Sequence, residues 1–151
     1  MAEPGPARGR RVIVASMQTK PVLTHEECTR IAAAAVAEAQ RNGWAVTIAI
    51  ADDGGHLLWL QRLDGAAPIS AHIAAAKART AALGRRDSKV YEDMINQGRT
   101  SFLSVPELQG MLEGGVPVLA GGHCLGAVGV SGVKSSEDAQ IARAGCAALA
   151  V

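Results

Sequence analysis

Four histidines and three cysteines make up the soft-ligand inventory of this chain, and two of the histidines stand in nearly the same setting. The stretch DDGGHLLWLQR, residues 52–62, puts His56 after two acids and two glycines and before an apolar run. AGGHCLGAVGV, residues 120–130, repeats Gly-Gly-His at His123. An imidazole in such a place could hold a metal ion or a haem iron. The two lie 67 positions apart, however, with no metal-ligand spacing, and each follows a glycine turn where a polar residue belongs. The plainer reading is an exposed first residue of a strand. His25 and His72 fall in first helical turns, where capping is the commoner role.

Other chemistry is sparse. No G-x-S-x-G elbow is present, and Ser131 in GVSG has the wrong flanks for a nucleophile. GAVGVSG lacks the third glycine and helix start of a dinucleotide site. Its glycines suit a strand approached closely by a helix or by a flat ligand, and the helix is the reading adopted. Arg79, Arg85, Arg86, Lys89 and Arg99 could anchor a carboxylate or a propionate. Against this stand Asp87, Glu92 and Asp93, which make the group a balanced, solvated face. Glu113, just before Gly114-Gly115, could serve as a base, although an exposed acid beside a turn explains it equally simply.

These residues must be carried by elements that the sequence marks well. Thr24-His25-Glu26-Glu27 is a capping box that opens a helix with apolar residues at Cys28, Ile31, Ala32, Ala35 and Ala39, stopped by Asn42-Gly43. WAVTIAIA alternates as a strand, Asp52 to Gly55 turns, and HLLWLQR returns, so a first hairpin spans about 45–62. On the returning strand, alternation puts Trp59 and Leu57 on one face and Leu58 and Leu60 on the other. Ser70 can cap a helix running to Gly84, which makes His72 its second residue. A shorter helix starts near Asp87 or Ser88, and residues 99–113 are irregular. GGVPVLA and HCLGAVGVSG form a second hairpin turning at Gly121-Gly122, and Ser135-Ser136-Glu137-Asp138 opens the last helix. Helix, hairpin, helices, hairpin, helix is an α+β order: an antiparallel sheet built from two hairpins, with helices packed on it.

Bulk properties bound the function. With 151 residues and a 48% hydrophobic fraction the chain can form one ordinary domain. Its aromatics are only Trp44, Trp59, Tyr91 and Phe102, so alanine and glycine fill the interior and tight helix-on-sheet packing is expected. The net charge is +1; residues 1–18 hold Arg8, Arg10 and Arg11 against Glu3, leaving twelve basic and thirteen acidic side chains elsewhere. Such a body has no electrostatic pull toward nucleic acid or an anionic membrane. An odd cysteine count without C-x-x-C suggests a reducing, cytoplasmic setting. Residues 1–18 read as a disordered leader or an added extension, and 19–151 as a single domain.

The motifs in order, from MQTKPVLTHEECTRIAAAAVAEAQRNGWAVTIAIADDGGHLLWLQRLDGA through AAAKARTAAL and GGVPVLAGGHCLGAVGVSG to EDAQIARAG, resemble the GlcG/HbpS family. That haem-binding-protein-like group includes the C-terminal domain of PduO-type proteins, and the likeness covers about residues 17–150. The resemblance implies a profilin-like fold and dimers that assemble into larger rings or octamers. It also implies haem binding in some members, haem breakdown or redox sensing in a few, and catabolic settings without settled activity in others. Thr80 matches the family's K-A-x-T-A pattern and Lys77 lies one turn earlier, so haem would be sought first at Thr80 and Lys77, then at His72. Threonine is a poor iron ligand, so such a site would exchange easily; covalent attachment is excluded because no C-x-x-C-H is present. Three readings follow: a homo-oligomeric module binding haem or another small molecule; a catabolic enzyme acting on a small organic acid at a subunit-interface pocket lined by the glycine-rich strand, Arg99, Glu113 and Lys134; and a ligand-free accessory subunit.

Overall fold

The computed structural model describes residues 16–149. Most of the expected leader, residues 1–15, therefore lies outside the described residues. Four α-helices and four strands follow in order: α1 (His25–Arg41), β1 (Thr47–Asp52), β2 (Leu57–Arg62), α2 (Ile69–Gly84), α3 (Lys89–Asn96), a 3-10 turn (Thr100–Ser104), β3 (Gly115–Ala120), β4 (His123–Ser131) and α4 (Ser135–Ala147). The two hairpins join through β1 and β4 into one antiparallel sheet of order β2-β1-β4-β3. No helix among the described residues is long and apolar enough to cross a membrane.

The sheet has two unlike faces, and the alternation along β1 and β4 creates them. Ile48, Ile50, Val128 and Val130 point toward α1 and α4, where they meet Ile31, Ala35 and Ile141 in the main core. Their neighbours Ala49, Ala51, Ala127 and Gly129 point the other way, toward Ala74, Ala78, Ala81 and Ala82 of α2. One face is thus thick with branched side chains and the other is nearly bare backbone. A Cβ on Gly129 would fall 2.1 Å from the Ala74 carbonyl oxygen and 2.4 Å from the Ala78 nitrogen. The strand glycine admits a helix, as the sequence suggests.

Three local expectations need correction. Ser70 does not cap α2: the helix begins at Ile69 after Pro68, and the buried Ser70 hydroxyl bonds the Ala67 carbonyl (2.6 Å) and the Thr47 hydroxyl (2.7 Å). His72 is consequently the fourth residue of α2, not the second. A bulge at Ile50/Ala51 breaks the alternation of β2, pairing Leu57 with Ala51 and Trp59 with Ile50. Leu57 and Leu60 therefore share the α2 side, while Trp59 faces α1 and stacks on His25 with ring centroids 5.9 Å apart. Lys134, not Ser135, is the N-cap of α4, and its amide donates to the Glu137 carboxylate at 3.2 Å.

One buried ion pair ties the layers. The Lys77 ammonium on α2 donates to the Val130 carbonyl of β4 (2.9 Å) and to Asp138 of α4 (3.0 Å), and both side chains are 3% exposed. Asp138 also accepts the Val133 amide at 3.2 Å. Burial pushes the Asp138 carboxyl up, and the Lys77 charge opposes that rise.

Two stability outcomes are expected. Gly129→Ala, forcing a methyl into backbone on both sides, should cost about 3 kcal/mol or more, read as a lower urea midpoint at unchanged slope. Lys77→Met should cost about 3–5 kcal/mol by stranding the Asp138 charge, and adding Asp138→Asn should recover much of that loss. The carboxyl in Lys77→Met is raised further. Its protonation stabilises the fold below the unfolded Asp value of about 4. That contribution fades as pH rises, so the deficit against the parent should be smaller at pH 4 than at pH 7.

Candidate functional site

The two residues to which the sequence points first, Lys77 and Thr80, lie inside the protein. Thr80 is 0% exposed, and its hydroxyl accepts the Gly110 amide at 3.2 Å. Gly110 presses onto α2 so closely that a Cβ there would sit 2.2 Å from the Ala76 carbonyl carbon. Lys77 is occupied by its ion pair, and its carbonyl lies 2.4 Å from where a Cβ on Gly115 would be. The K-A-R-T-A stretch thus anchors segment 110–115. Helix α3 completes the hold: the Ser88 hydroxyl accepts the Gly115 amide (2.8 Å) and donates to the Leu112 carbonyl, and the Glu92 carboxylate accepts the Glu113 amide (2.8 Å).

The anchored segment forms one wall of a cleft. Three adjoining hollows of about 320, 250 and 460 Å³ share Gln109 as a lining residue. Ala76 and Arg79 of α2 bound the first, with Pro106 and Glu107 opposite. Glu92 and Ile95 of α3, with Leu103, Met111 and Leu112, bound the second. Leu103, Val105, Leu108 and Met111 bound the third. The second hollow is largely aliphatic and the first is about half polar, with Arg79, Glu107 and Gln109 on its walls; apolar walls with a few polar groups are the ordinary make-up of a small-molecule site. The Arg79 guanidinium holds the Glu107 carbonyl at 3.3 Å, and the Arg99 guanidinium lies 4.6 Å from the centre of the Phe102 ring.

Of the other residues singled out in the sequence, His72 is exposed on the outer face of α2, one turn before Ala76. Arg99 caps the 3-10 turn, Glu113 is half-buried at the start of the second hairpin, and Lys134 is exposed at the head of α4. None of these three lines the three hollows. Of the basic group, Lys89 pairs with Asp93 (2.8 Å) and Arg86 lies over Tyr91, while Asp87 is taken by Arg143 (3.6 Å), outside the group. His56 is an exposed turn residue preceding β2. Its amide and the Gly54 amide both donate to the Asp52 carboxylate at 2.9 Å. Burial would raise the Asp52 carboxyl, but those bonds and the His56 ring hold it below its usual range. Cys28 is buried, Cys124 and Cys146 are half-buried, and burial pushes the Cys146 thiol up to about 12. No cluster of three or more potential metal ligands occurs among the described residues.

Sequence reasoning missed Gln109, Met111 and Leu103. The available signal was the length of the irregular stretch 99–113, which is unusual in a compact domain without a function, together with the leucines and methionine it carries.

Comparison with known proteins agrees with this architecture. A family model described as "Haem degrading protein HbpS-like" matches residues 23–147. Protein GlcG of Escherichia coli K12 is 57% identical over 115 residues, covering 76% of this chain and 85% of that protein. A crystal structure of a double mutant of HbpS from Streptomyces reticuli superposes with a TM-score of 0.82 at 34% identity, covering 100% of this chain and 99% of that one. The crystal structure of a PduOC:Heme complex superposes with a TM-score of 0.76 at 27% identity, covering 87% and 97%. With its sheet order, its motifs and the match across residues 23–147 in agreement, the chain belongs to the HbpS-like family.

Proposed function

We propose that this protein binds haem or a similar tetrapyrrole reversibly, as a homo-oligomer, in a haem-handling or redox-sensing role in the cytoplasm. The observation that carries the reading is the haem complex of a relative that aligns with 87% of this chain. Haem needs apolar walls, a donor for its iron and cations for its propionates. The cleft around Gln109 fits those needs. Leu103, Val105, Leu108 and Met111 supply the walls, Arg79 a cation at the margin, and the Met111 thioether, or the His72 imidazole one turn before Ala76 on α2, a donor. Bound haem would supply redox and diatomic-gas chemistry; the protein's own part is to hold the ring at a surface cleft from which it can leave. Thr80 and Lys77 serve this reading as positioning residues, since they fix the wall that Met111 belongs to. Free cysteines support a reducing compartment.

Assembly is supported by β2, an edge strand whose Leu57, Leu58 and Leu60 are exposed by 52%, 43% and 46%. Unpaired strand edges of this kind are ordinarily covered. Sedimentation should give a mass above the monomer, and Leu58→Lys with Leu60→Lys should lower it; a monomeric parent would refute the assembly.

Haemin titration tests the ligand. Saturable growth of a Soret band is expected, with affinity reduced about tenfold in His72→Ala or Met111→Ala and more modestly in Arg79→Ala. The same haemin affinity in all three variants would remove the cleft from consideration, and no saturable band in the parent would refute the reading.

A further inference from the structure

The two Gly-Gly-His turns, 67 residues apart in the chain, come to the same end of the sheet. The cause is the register: β1 and β4 are antiparallel neighbours with Asp52 opposite Gly126, so the end of β1 lies beside the start of β4. There a hollow of about 260 Å³ is lined by Lys20, Asp53, Arg85, Gly122, His123 and Cys124, among others. It shares no lining residue with the cleft around Gln109.

Its charges can be counted. Lys20 pairs with Asp53, and these two cancel. The Cys124 thiol donates to the Gly126 carbonyl at 3.4 Å and is a wall of the hollow, not a free nucleophile. His123 begins β4 and is exposed. Arg85 is left. Among the described residues its guanidinium has no hydrogen bond or ion pair, whereas Arg79, Arg86, Arg99 and Lys89 each meet a carbonyl, a ring or a carboxylate.

Arg85 also stands in an unusual backbone position, φ 55° and ψ 36°, the one non-glycine residue with positive φ among those described. The cause lies next door. A Cβ on Gly84 would sit 2.3 Å from the Tyr91 hydroxyl, so the glycine is needed for packing, and the left-handed helix cap falls one residue later.

We propose that this hollow is a second ligand site, for a small monocarboxylate anchored by Arg85 and hydrogen-bonded by His123. The single uncancelled cation sets the charge of the ligand. The hollow, about 260 Å³, has room for a short organic acid. The proposal does not rest on the haem reading.

The test is an NMR titration of the full chain with pyruvate, lactate and inorganic phosphate, each at constant ionic strength set with sodium chloride. The readouts are the His123 ring and the Gly121 and Gly122 amides. Saturable shifts with pyruvate or lactate at millimolar Kd are expected. Arg85→Gly should weaken binding at least tenfold. Because glycine accepts the left-handed cap without strain, that variant should melt no lower than the parent. Arg86→Ala, removing the adjacent cation, should leave affinity unchanged. Shifts that never saturate, tighter binding of phosphate than of either carboxylate, or equal weakening by Arg86→Ala and Arg85→Gly would each overturn the proposal.

Discussion

The close approach of α2 to the sheet is the constraint on which the rest of the molecule depends. Glycines 110, 115 and 129 each leave room where a Cβ would fall within 2.5 Å of α2 backbone atoms. A helix seated this low can present little but alanine to the strands beneath it, and Ala74, Ala78, Ala81 and Ala82 are what it presents. Larger side chains on α2 must leave sideways or find polar partners within the fold. Ser70, Lys77 and Thr80 do the latter: they are the helix's buried polar groups and all three are hydrogen-bonded. No buried side-chain nitrogen or oxygen among the described residues lacks a partner, as a low-dielectric interior requires.

That arrangement divides the labour between the two faces of the sheet. The face toward α1 and α4 holds the isoleucines and valines, so most of the apolar burial, and with it the larger share of the hydrophobic stabilisation, lies there. The α2 face contributes little apolar volume but fixes positions, because backbone against backbone leaves no slack. The parts of the chain that could meet a ligand are organised from this second face. Segment 110–115 is pinned to α2 and α3, and the left-handed cap that carries Arg85 is the end of α2 itself.

Much of the fold was legible because its signals are local. The capping box at Thr24, the stop at Asn42-Gly43 and both glycine-turned hairpins lie where the pattern puts them. Misreadings arose where a contact distant in sequence decides. Ser70 looks like a cap, but its partner Thr47 lies 23 residues away across the sheet. Strict alternation in β2 fails at a bulge that only the pairing with β1 reveals. The candidate site was less legible for the same reason. Gln109, Leu103 and Met111 sit in a stretch with no period, and a cleft made by wrapping such a stretch over α2 leaves no regular trace.

The K-A-R-T-A stretch shows why kinship here informs fold more than chemistry. As sequence it looks like a ligand motif, a lysine and a threonine one turn apart on a helix. In the structure the lysine joins three elements through Val130 and Asp138, and the threonine holds Gly110. Both side chains are spent on seating α2 against β4, α4 and segment 110–115. The groups that the packing does not consume are the aliphatic wall from Leu103 to Met111, the outer stripe of α2, and the Arg85 guanidinium, unpaired among the described residues. These can vary while the sheet and its helices stay fixed, which is how one fold comes to serve several ligands.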